Sequence, residues 1–200
     1  MSTAEFTPAP APPRPWPASP RLRSPRLIVL TLAGAVAAAA IQGSLVYAML
    51  CGLLVAVLVP CAVIDLEWRI IPNLITGPAA VMAIVLGTVL DPLGEPHRLV
   101  WAAGAGGFLL LIALISPAGM GMGDVKLLAV IGLCLGSLGA VALFAALVAQ
   151  VAAAGVLAVR HGIRAARKTT LPFGPYLAGG AVLMTIAGSG LLHPWLHLVH

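Results

Sequence analysis

Charged side chains are scarce in this sequence. Asp, Glu, Lys and Arg make up 8% of its 200 residues, where a soluble domain has roughly 25%. Hydrophobic residues account for 60%. So few polar side chains cannot cover the apolar mass in water, which excludes a soluble globular fold and makes a lipid bilayer the expected partner. No dense basic run with interleaved aromatics occurs, so nucleic-acid binding is not predicted although the formal net charge is +5.

Cysteine is also rare, and its positions exclude two common kinds of small domain. Cys51, Cys61 and Cys134 all lie within apolar stretches, and no CxxC pair is present. Neither a zinc ribbon nor a disulfide framework is therefore indicated. Buried, unreactive thiols are the expected state of all three.

What the sequence does contain is a series of apolar runs. Residues 1–25 are rich in Pro, Ala, Ser and Thr and are predicted to form a disordered cytoplasmic tail. An all-α, polytopic membrane domain with about seven transmembrane helices is predicted over 26–200. Its first segment has an alternative interpretation as the core of a secretory signal. The seven apolar segments lie near 26–42, 46–64, 74–90, 99–116, 125–137, 139–159 and 174–192.

The positive charges predict how these segments are oriented. With the N-terminus in the cytoplasm, ten of the eleven Lys and Arg residues fall on the cytoplasmic side. Only Arg98 falls outside, in the loop DPLGEPHR (91–98) that also carries Asp91 and Glu95. The C-terminus is then external. The short segment 125–137 is needed, because omitting it would divide the basic loops between the two faces.

Three acidic residues lie at the predicted cytoplasmic boundary of the membrane: Asp65, Glu67 and Asp124. Ionisable groups at such positions are candidates for function, because burying them in a bilayer is energetically costly. Structural explanations remain open for each. Asp65 can end a helix at the headgroup level, Asp124 can be the N-cap of the next helix, and Glu67 can be a solvated loop residue.

The two Asp residues together suggest chemistry. Asp65 ends one segment and Asp124 begins another on the same face, so helix packing can bring them together. Two carboxylates in one site do not both ionise easily, and one keeps a proton. An aspartic protease needs that asymmetry, since one Asp takes a proton from water while the other polarises a carbonyl. No serine lies near a histidine base, and the histidines are placed outside or, for His161, in a basic loop. We therefore predict no metal and no cofactor.

Three separated motifs resemble those of the type IV prepilin peptidases, a branch of the GxGD intramembrane aspartic peptidases. The resemblance covers the chain from about residue 46 onward. It implies that Asp65 and Asp124 are the catalytic pair, and that Gly121 and Gly123 let the backbone approach the substrate closely. The motifs are IDLEWRIIPNLIT (64–76), GMGDVKLLA (121–129) and LPFGPYLAGGA (171–181).

The resemblance also implies a multi-pass protein of the bacterial inner membrane that removes the leader of prepilins or pseudopilins on the cytoplasmic side. Long members of the family carry an extra domain with paired CxxC motifs, which this sequence lacks. It is similar to the short form associated with tight-adherence (Flp) pili. We therefore expect a peptidase without N-methyltransferase activity.

Several residues of the motifs are expected to support the site. Lys126, one turn from Asp124, is predicted to meet an acidic group of the substrate or to help set the Asp pair, with membrane anchoring as the alternative. Glu67 is a second supporting candidate. Asn73 is predicted to cap the next helix. A non-helical entry to the last span is predicted at Pro172, Gly174 and Pro175.

Two alternatives to a peptidase remain open. The chain can be a non-enzymatic transporter or pilus-assembly scaffold, in which the Asp pair serves as an ion or proton site. Transporters often contain an internal repeat with helices interrupted at mid-membrane, and no convincing repeat is present here. The second alternative is an inactive homologue used in assembly.

Overall fold

The computed structural model describes residues 24–115, 121–161 and 172–188, and within these ranges the regular structure is entirely helical. This confirms the predicted all-α class. The tail up to residue 23, the segment 116–120, the basic residues at 164, 167 and 168, and everything after residue 188 lie outside the described residues. The helices are α1 (Pro25–Ala40), α2 (Leu45–Trp68), α3 (Asn73–Leu90), α4 (Glu95–Ile115), α5 (Met122–Leu135), α6 (Leu138–His161) and α7 (Gly174–Ala187).

Four of these helices are long and apolar enough to cross a membrane: α2, α3, α4 and α6. At 1.5 Å per residue, the 24 residues of α2 extend over about 36 Å, which exceeds a hydrocarbon core of roughly 30 Å. Helices α1, α5 and α7 have 16, 14 and 14 residues and are shorter. The chain is therefore a polytopic membrane protein, while the count of seven spans and the placement of the termini stay predictions.

Helix α5 is the centre of the bundle. Nine of its fourteen residues are buried, and it packs against α2, α3, α4, α6 and α7. Its contact with α4 is close, since a Cβ atom at Gly132 would lie 2.7 Å from the Cα atom of Ala102. Small residues let membrane helices approach in this way. Because α5 is enclosed by protein rather than lipid, its length does not have to match the bilayer.

The two helices that carry the acidic candidates begin and end differently from the prediction. Helix α2 continues past Asp65 to Trp68, and its last turn is closed by the Arg69 amide, which donates to the Asp65 carbonyl at 2.9 Å. Arg69 then adopts a left-handed conformation, φ 53°, which ends the helix. The expectation that Glu67 is a loop residue is therefore wrong. Glu67 lies in the last helical turn, half-buried, where its carboxylate accepts from the Trp68 indole at 3.3 Å.

The cap predicted at Asn73 is wrong, and so is the alternative interpretation of Asp124 as a cap. The N-cap of α5 is Gly121, whose extended backbone starts the helix earlier than predicted, so that Asp124 lies inside the first turn. The N-cap of α3 is Pro72, and Asn73 is the first helical residue. The Asn73 side chain is instead the acceptor for Lys126, with 2.8 Å between Oδ1 and Nζ.

The entry to α7 is more helical than predicted. Gly174 is the first residue of the helix, and Pro175 follows it in the first turn. Proline is tolerated there because the amides of the first turn have no acceptor within the helix. Of the three residues expected to be non-helical, only Pro172 precedes the helix.

At the opposite end of the bundle, the predicted external loop contains a buried ion network. Glu95 and Arg98 belong to the first turn of α4 and are only 5% and 3% exposed. Arg98 donates to Glu95 Oε2 at 3.0 Å and to Asp91 Oδ2 at 2.8 Å. Placing all three in a loop was therefore wrong for Glu95 and Arg98, which pair with each other within the first turn of α4.

Asp91 is the member of this network that lies between helices α3 and α4. The hydrogen bond from Arg98 holds the pKa of Asp91 below its usual range. A lowered pKa means that this contribution to stability is complete at neutral pH and is lost only in acid, as the pH falls through that lowered value.

We expect Arg98→Ala to destabilise the protein by about 3 kcal/mol, because it leaves the buried Glu95 carboxylate without its cation. Thermal unfolding in detergent measures the effect. Arg160→Ala is the matched control, since Arg160 is exposed in the last turn of α6. Equal melting temperatures for the two variants would show that the network contributes nothing to stability.

Candidate active site

Asp65 is buried at the end of α2 and is held by the start of α7. Asp65 is 6% exposed, and its Oδ2 atom accepts a hydrogen bond from the Gly174 amide at 3.0 Å. The amides of the first helical turn have no acceptor within their own helix, so the Gly174 N–H is available to Asp65. The carboxylate is thus placed by a contact between residues 109 positions apart.

Asp124 lies in the first turn of α5 and is half-buried. It interacts electrostatically with Asp65, so the packing of α5 against α2 brings the two predicted carboxylates into one site. Within the described ranges, the Asp124 Oδ1 atom is buried and has no hydrogen-bond partner. An unpaired buried polar atom is unfavourable, which marks Oδ1 as a position where a ligand, water or proton can bind.

The two glycines of the GxGD motif have different surroundings. A Cβ atom at Gly123 would lie 2.7 Å from Cβ and 3.3 Å from the amide nitrogen of Ile71, which follows α2. At Gly121 the nearest atom to an added Cβ is Asp124 Oδ2, at the ordinary contact distance of 3.4 Å. Gly123 therefore lets the start of α5 pack against the chain that follows Asp65, whereas Gly121 is exposed and has space around it.

The two supporting candidates lie beside the pair. Lys126 is exposed and donates to Asn73, so it links α5 to the start of α3 and does not contact either Asp in the described structure. Glu67 follows Asp65 by two residues in α2, and its carboxylate accepts a hydrogen bond from the Trp68 indole. The structure thus places both residues at the same end of the bundle as the Asp pair.

Gly174 and Ile71 are parts of the site whose role the sequence did not reveal. Both lie inside the motifs 64–76 and 171–181, but their contacts are made across the chain, to Asp65 and to Gly123. The only signal in the sequence was the glycine between two prolines in LPFGPY, which indicated a special backbone and not a hydrogen bond to a carboxylate.

A pair of carboxylates at the end of an apolar bundle can share one proton and act as acid and base on a bound water. The described residues contain no group of three or more His, Cys, Asp or Glu that could hold a metal ion.

Comparison with known proteins agrees with the resemblance noted in the motifs. The model of the type IV leader peptidase family matches residues 52–159, which include both Asp residues. The chain is 35% identical over 141 residues to the prepilin leader peptidase/N-methyltransferase of Bacillus subtilis (strain 168). That alignment covers 69% of this chain and 55% of the relative, so the chain spans just over half of the relative's length. No solved structure matches it.

The glycine contacts predict a difference in stability. Gly123→Ala must displace Ile71 or the start of α5, and we expect it to destabilise the protein by about 1–3 kcal/mol. Gly121→Ala, two residues away and in open surroundings, is the matched control and should unfold like the wild type. Thermal unfolding in detergent compares the two. A larger loss for Gly121→Ala would contradict the assigned packing.

Proposed function

Because this chain belongs to the type IV leader peptidase family, we propose that it is a membrane-embedded aspartic endopeptidase that removes the leader peptide of prepilins or pseudopilins. The observation that carries the proposal is the convergence of Asp65 and Asp124 at one end of the bundle. Flp-type prepilins are the proposed substrates, since the sequence resembles the short members of the family.

Charge supports the cytoplasmic face as the place of cleavage. The end of the bundle with the Asp pair also carries Arg69 and Lys126. The one basic residue assigned to the other face, Arg98, lies at the opposite end and is neutralised by its two carboxylates. Basic residues concentrate on the cytoplasmic side of membrane proteins. A prepilin whose apolar helix lies in the bilayer would then present its leader to the Asp pair.

In the proposed reaction, a water molecule lies between the two carboxyl groups. The ionised Asp takes a proton from this water, and the oxygen attacks the carbonyl carbon of the scissile peptide. The protonated Asp donates its proton to the carbonyl oxygen, which gives a neutral tetrahedral diol. The diol then returns a proton to the second Asp, the C–N bond breaks, and the first Asp protonates the leaving amine. Both carboxyl groups regain their starting states, and no covalent enzyme intermediate forms.

Lys126 and Glu67 are proposed to support this site and not to take part in proton transfer. Through Asn73, Lys126 fixes the start of α3 relative to α5, next to the segment 70–72 against which Gly123 packs. Glu67, whose carboxylate accepts from the Trp68 indole, adds negative charge at the same end of the bundle, which would attract a basic leader. Opposite charge there would raise the rate of encounter with such a leader.

The Asp pair is tested by co-expressing the chain with a prepilin from its own genome and following leader removal by gel shift. Asp65→Asn and Asp124→Asn keep the size of each side chain and remove its acid–base function. We expect each to lower cleavage by at least about 10²-fold. Both variants must insert in the membrane and unfold near the wild-type temperature for the comparison to hold.

Undiminished cleavage by either Asn variant would overturn the aspartic mechanism. If no version cleaves any prepilin of the genome, the site functions in ion or proton binding or in assembly instead. A transporter role would then predict that proton or cation uptake into vesicles depends on the same two residues.

The proposal is limited to cleavage. The 200 residues contain three cysteines, none of them in a CxxC pair, and the resemblance links the paired CxxC motifs to N-methylation. We expect mass spectrometry of pilin cut by the purified protein in the presence of S-adenosylmethionine to show an unmodified N-terminus. An N-methylated product would show that the chain has the second activity as well.

A further inference from the structure

We propose that Gly174 is a positioning residue that makes Asp65 the ionised member of the pair, and hence the general base, while Asp124 carries the proton. The inference rests on the proposed function and deepens it. It assigns different roles to two carboxyl groups whose roles cannot be distinguished from the sequence. It follows from what each carboxyl group contacts.

Burial opposes the ionised form of Asp65, but two groups beside it favour that form. The Gly174 amide donates to Oδ2 at 3.0 Å, and it is the first N–H of α7, where the helix dipole is positive. The positive charge of Arg69, the residue that follows the last residue of α2, acts on the same carboxyl group. A hydrogen bond and a cation that meet the charged form both stabilise it.

Asp124 has fewer groups around it that stabilise a negative charge. The Gly121 amide interacts with its carboxyl group, but Oδ1 is buried and has no hydrogen-bond partner among the described residues. The negative charges of the two carboxyl groups oppose each other, so only one of the pair ionises easily and the contacts of each group decide which one. A neutral carboxyl group leaves an unpaired buried oxygen at lower free-energy cost than a carboxylate does. The proton is therefore assigned to Asp124.

Other titratable groups around the pair do not reverse this assignment. Within the described residues, Asp65 meets Cys61 on α2, Arg69 just after the end of α2, Asp124 on α5 and the Gly174 amide on α7. The carboxylate of Glu67, two residues after Asp65, accepts from the Trp68 indole. The Cys61 thiol is buried and behaves as an apolar neighbour. Lys126, the cation nearest to Asp124 in sequence, donates to Asn73.

Only glycine can make this contact at position 174. An added Cβ atom would lie 2.6 Å from Oδ2 and 3.0 Å from the carboxyl carbon of Asp65, closer than real Cβ atoms approach such groups. Any side chain at 174 must therefore separate the amide from the carboxylate. Pro175 directly follows Gly174 and Pro172 precedes it by two residues, and both restrict the backbone near the amide, which favours a fixed position for it.

The assignment makes the pH–rate profile diagnostic. A pair that works with one proton loses activity in acid when its base is protonated and in alkali when its acid is ionised. The acidic limb follows the carboxyl group that ionises first, and the alkaline limb follows the other. Weakening the stabilisation of ionised Asp65 moves the acidic limb if Asp65 is the base, and the alkaline limb if Asp124 is.

We would measure kcat against pH for wild type and Gly174→Ala, using purified protein and its prepilin. We expect a lower kcat, and an acidic limb displaced upward by about one to two pH units, the effect of losing one hydrogen bond to a charged group. The alkaline limb should move less. Displacement of the alkaline limb alone, or an unchanged profile, would overturn the inference.

Two other glycines of α7 supply matched controls. Gly179 faces open space, so Gly179→Ala should leave both the rate and the pH profile unchanged. Gly180 packs against the Ala142 carbonyl of α6, so Gly180→Ala displaces the helix without touching Asp65. It should lower stability and keep the wild-type limbs. A shift of the acidic limb in Gly180→Ala equal to that in Gly174→Ala would show that the effect is only structural.

A second variant tests the same hydrogen bond if Gly174→Ala fails to insert in the membrane or to cleave. Incorporation of glycolic acid at position 174 by nonsense suppression replaces the amide N–H with an ester oxygen and adds no bulk. The same upward shift of the acidic limb is expected, and a wild-type profile would overturn the inference.

Failure of the inference and failure of the proposed function are distinguishable. If wild type cleaves and both Asp→Asn variants do not, the peptidase assignment holds whatever the profile of the position 174 variants. If either Asp→Asn variant cleaves normally, both the dyad and the role of Gly174 are overturned.

Discussion

The burial of carboxyl groups among apolar helices is the constraint on which the rest of this structure depends. An ionised side chain in such surroundings is stable only where polar groups meet it, and the helix termini are the places where unpaired backbone amides occur. Asp65 is met by the first amide of α7, and Asp124 lies in the first turn of α5. The geometry of the candidate site therefore depends on where these two helices begin, and on the packing that brings their ends to α2.

The same constraint is met differently at the other end of the bundle. There Glu95 and Asp91 are satisfied by one guanidinium, Arg98, in a network confined to the α3–α4 turn and the start of α4. A closed ion network of this kind is complete without a ligand, apart from the unpartnered Oε1 atom of Glu95. At the Asp pair, Asp65 accepts from the Gly174 amide and is acted on by the charge of Arg69, and the Oδ1 atom of Asp124 has no partner among the described residues. The acidic residues at one end of the bundle thus stabilise the fold, and the Asp pair at the other end is proposed to be catalytic.

Much of this was predictable from local patterns. The seven apolar runs predicted the helices to within a few residues, because each run is long enough to be recognised without its neighbours. Asp65 and Asp124 could be selected because so few acidic residues exist in this chain and because both lie within recognisable motifs. Predictions about helix ends were less accurate. Glu67 was expected in a loop, Asn73 was expected as a cap, and a cap was the alternative interpretation of Asp124. A side chain that suits a cap also fits a first or last helical turn, and only the neighbouring helix decides which position it takes.

By itself, then, the sequence determined that this protein is a helical membrane protein of the leader peptidase family with one pair of candidate aspartates, since composition, hydrophobic runs and contiguous motifs are properties of the chain alone. The tertiary structure decided how the aspartates differ. The amide of Gly174 reaches Asp65 across 109 positions, and Gly123 packs against Ile71 across another long interval. Such contacts depend on the relative placement of helices to within an ångström. That placement arises from the packing of five helices around α5 and is not encoded in any single segment.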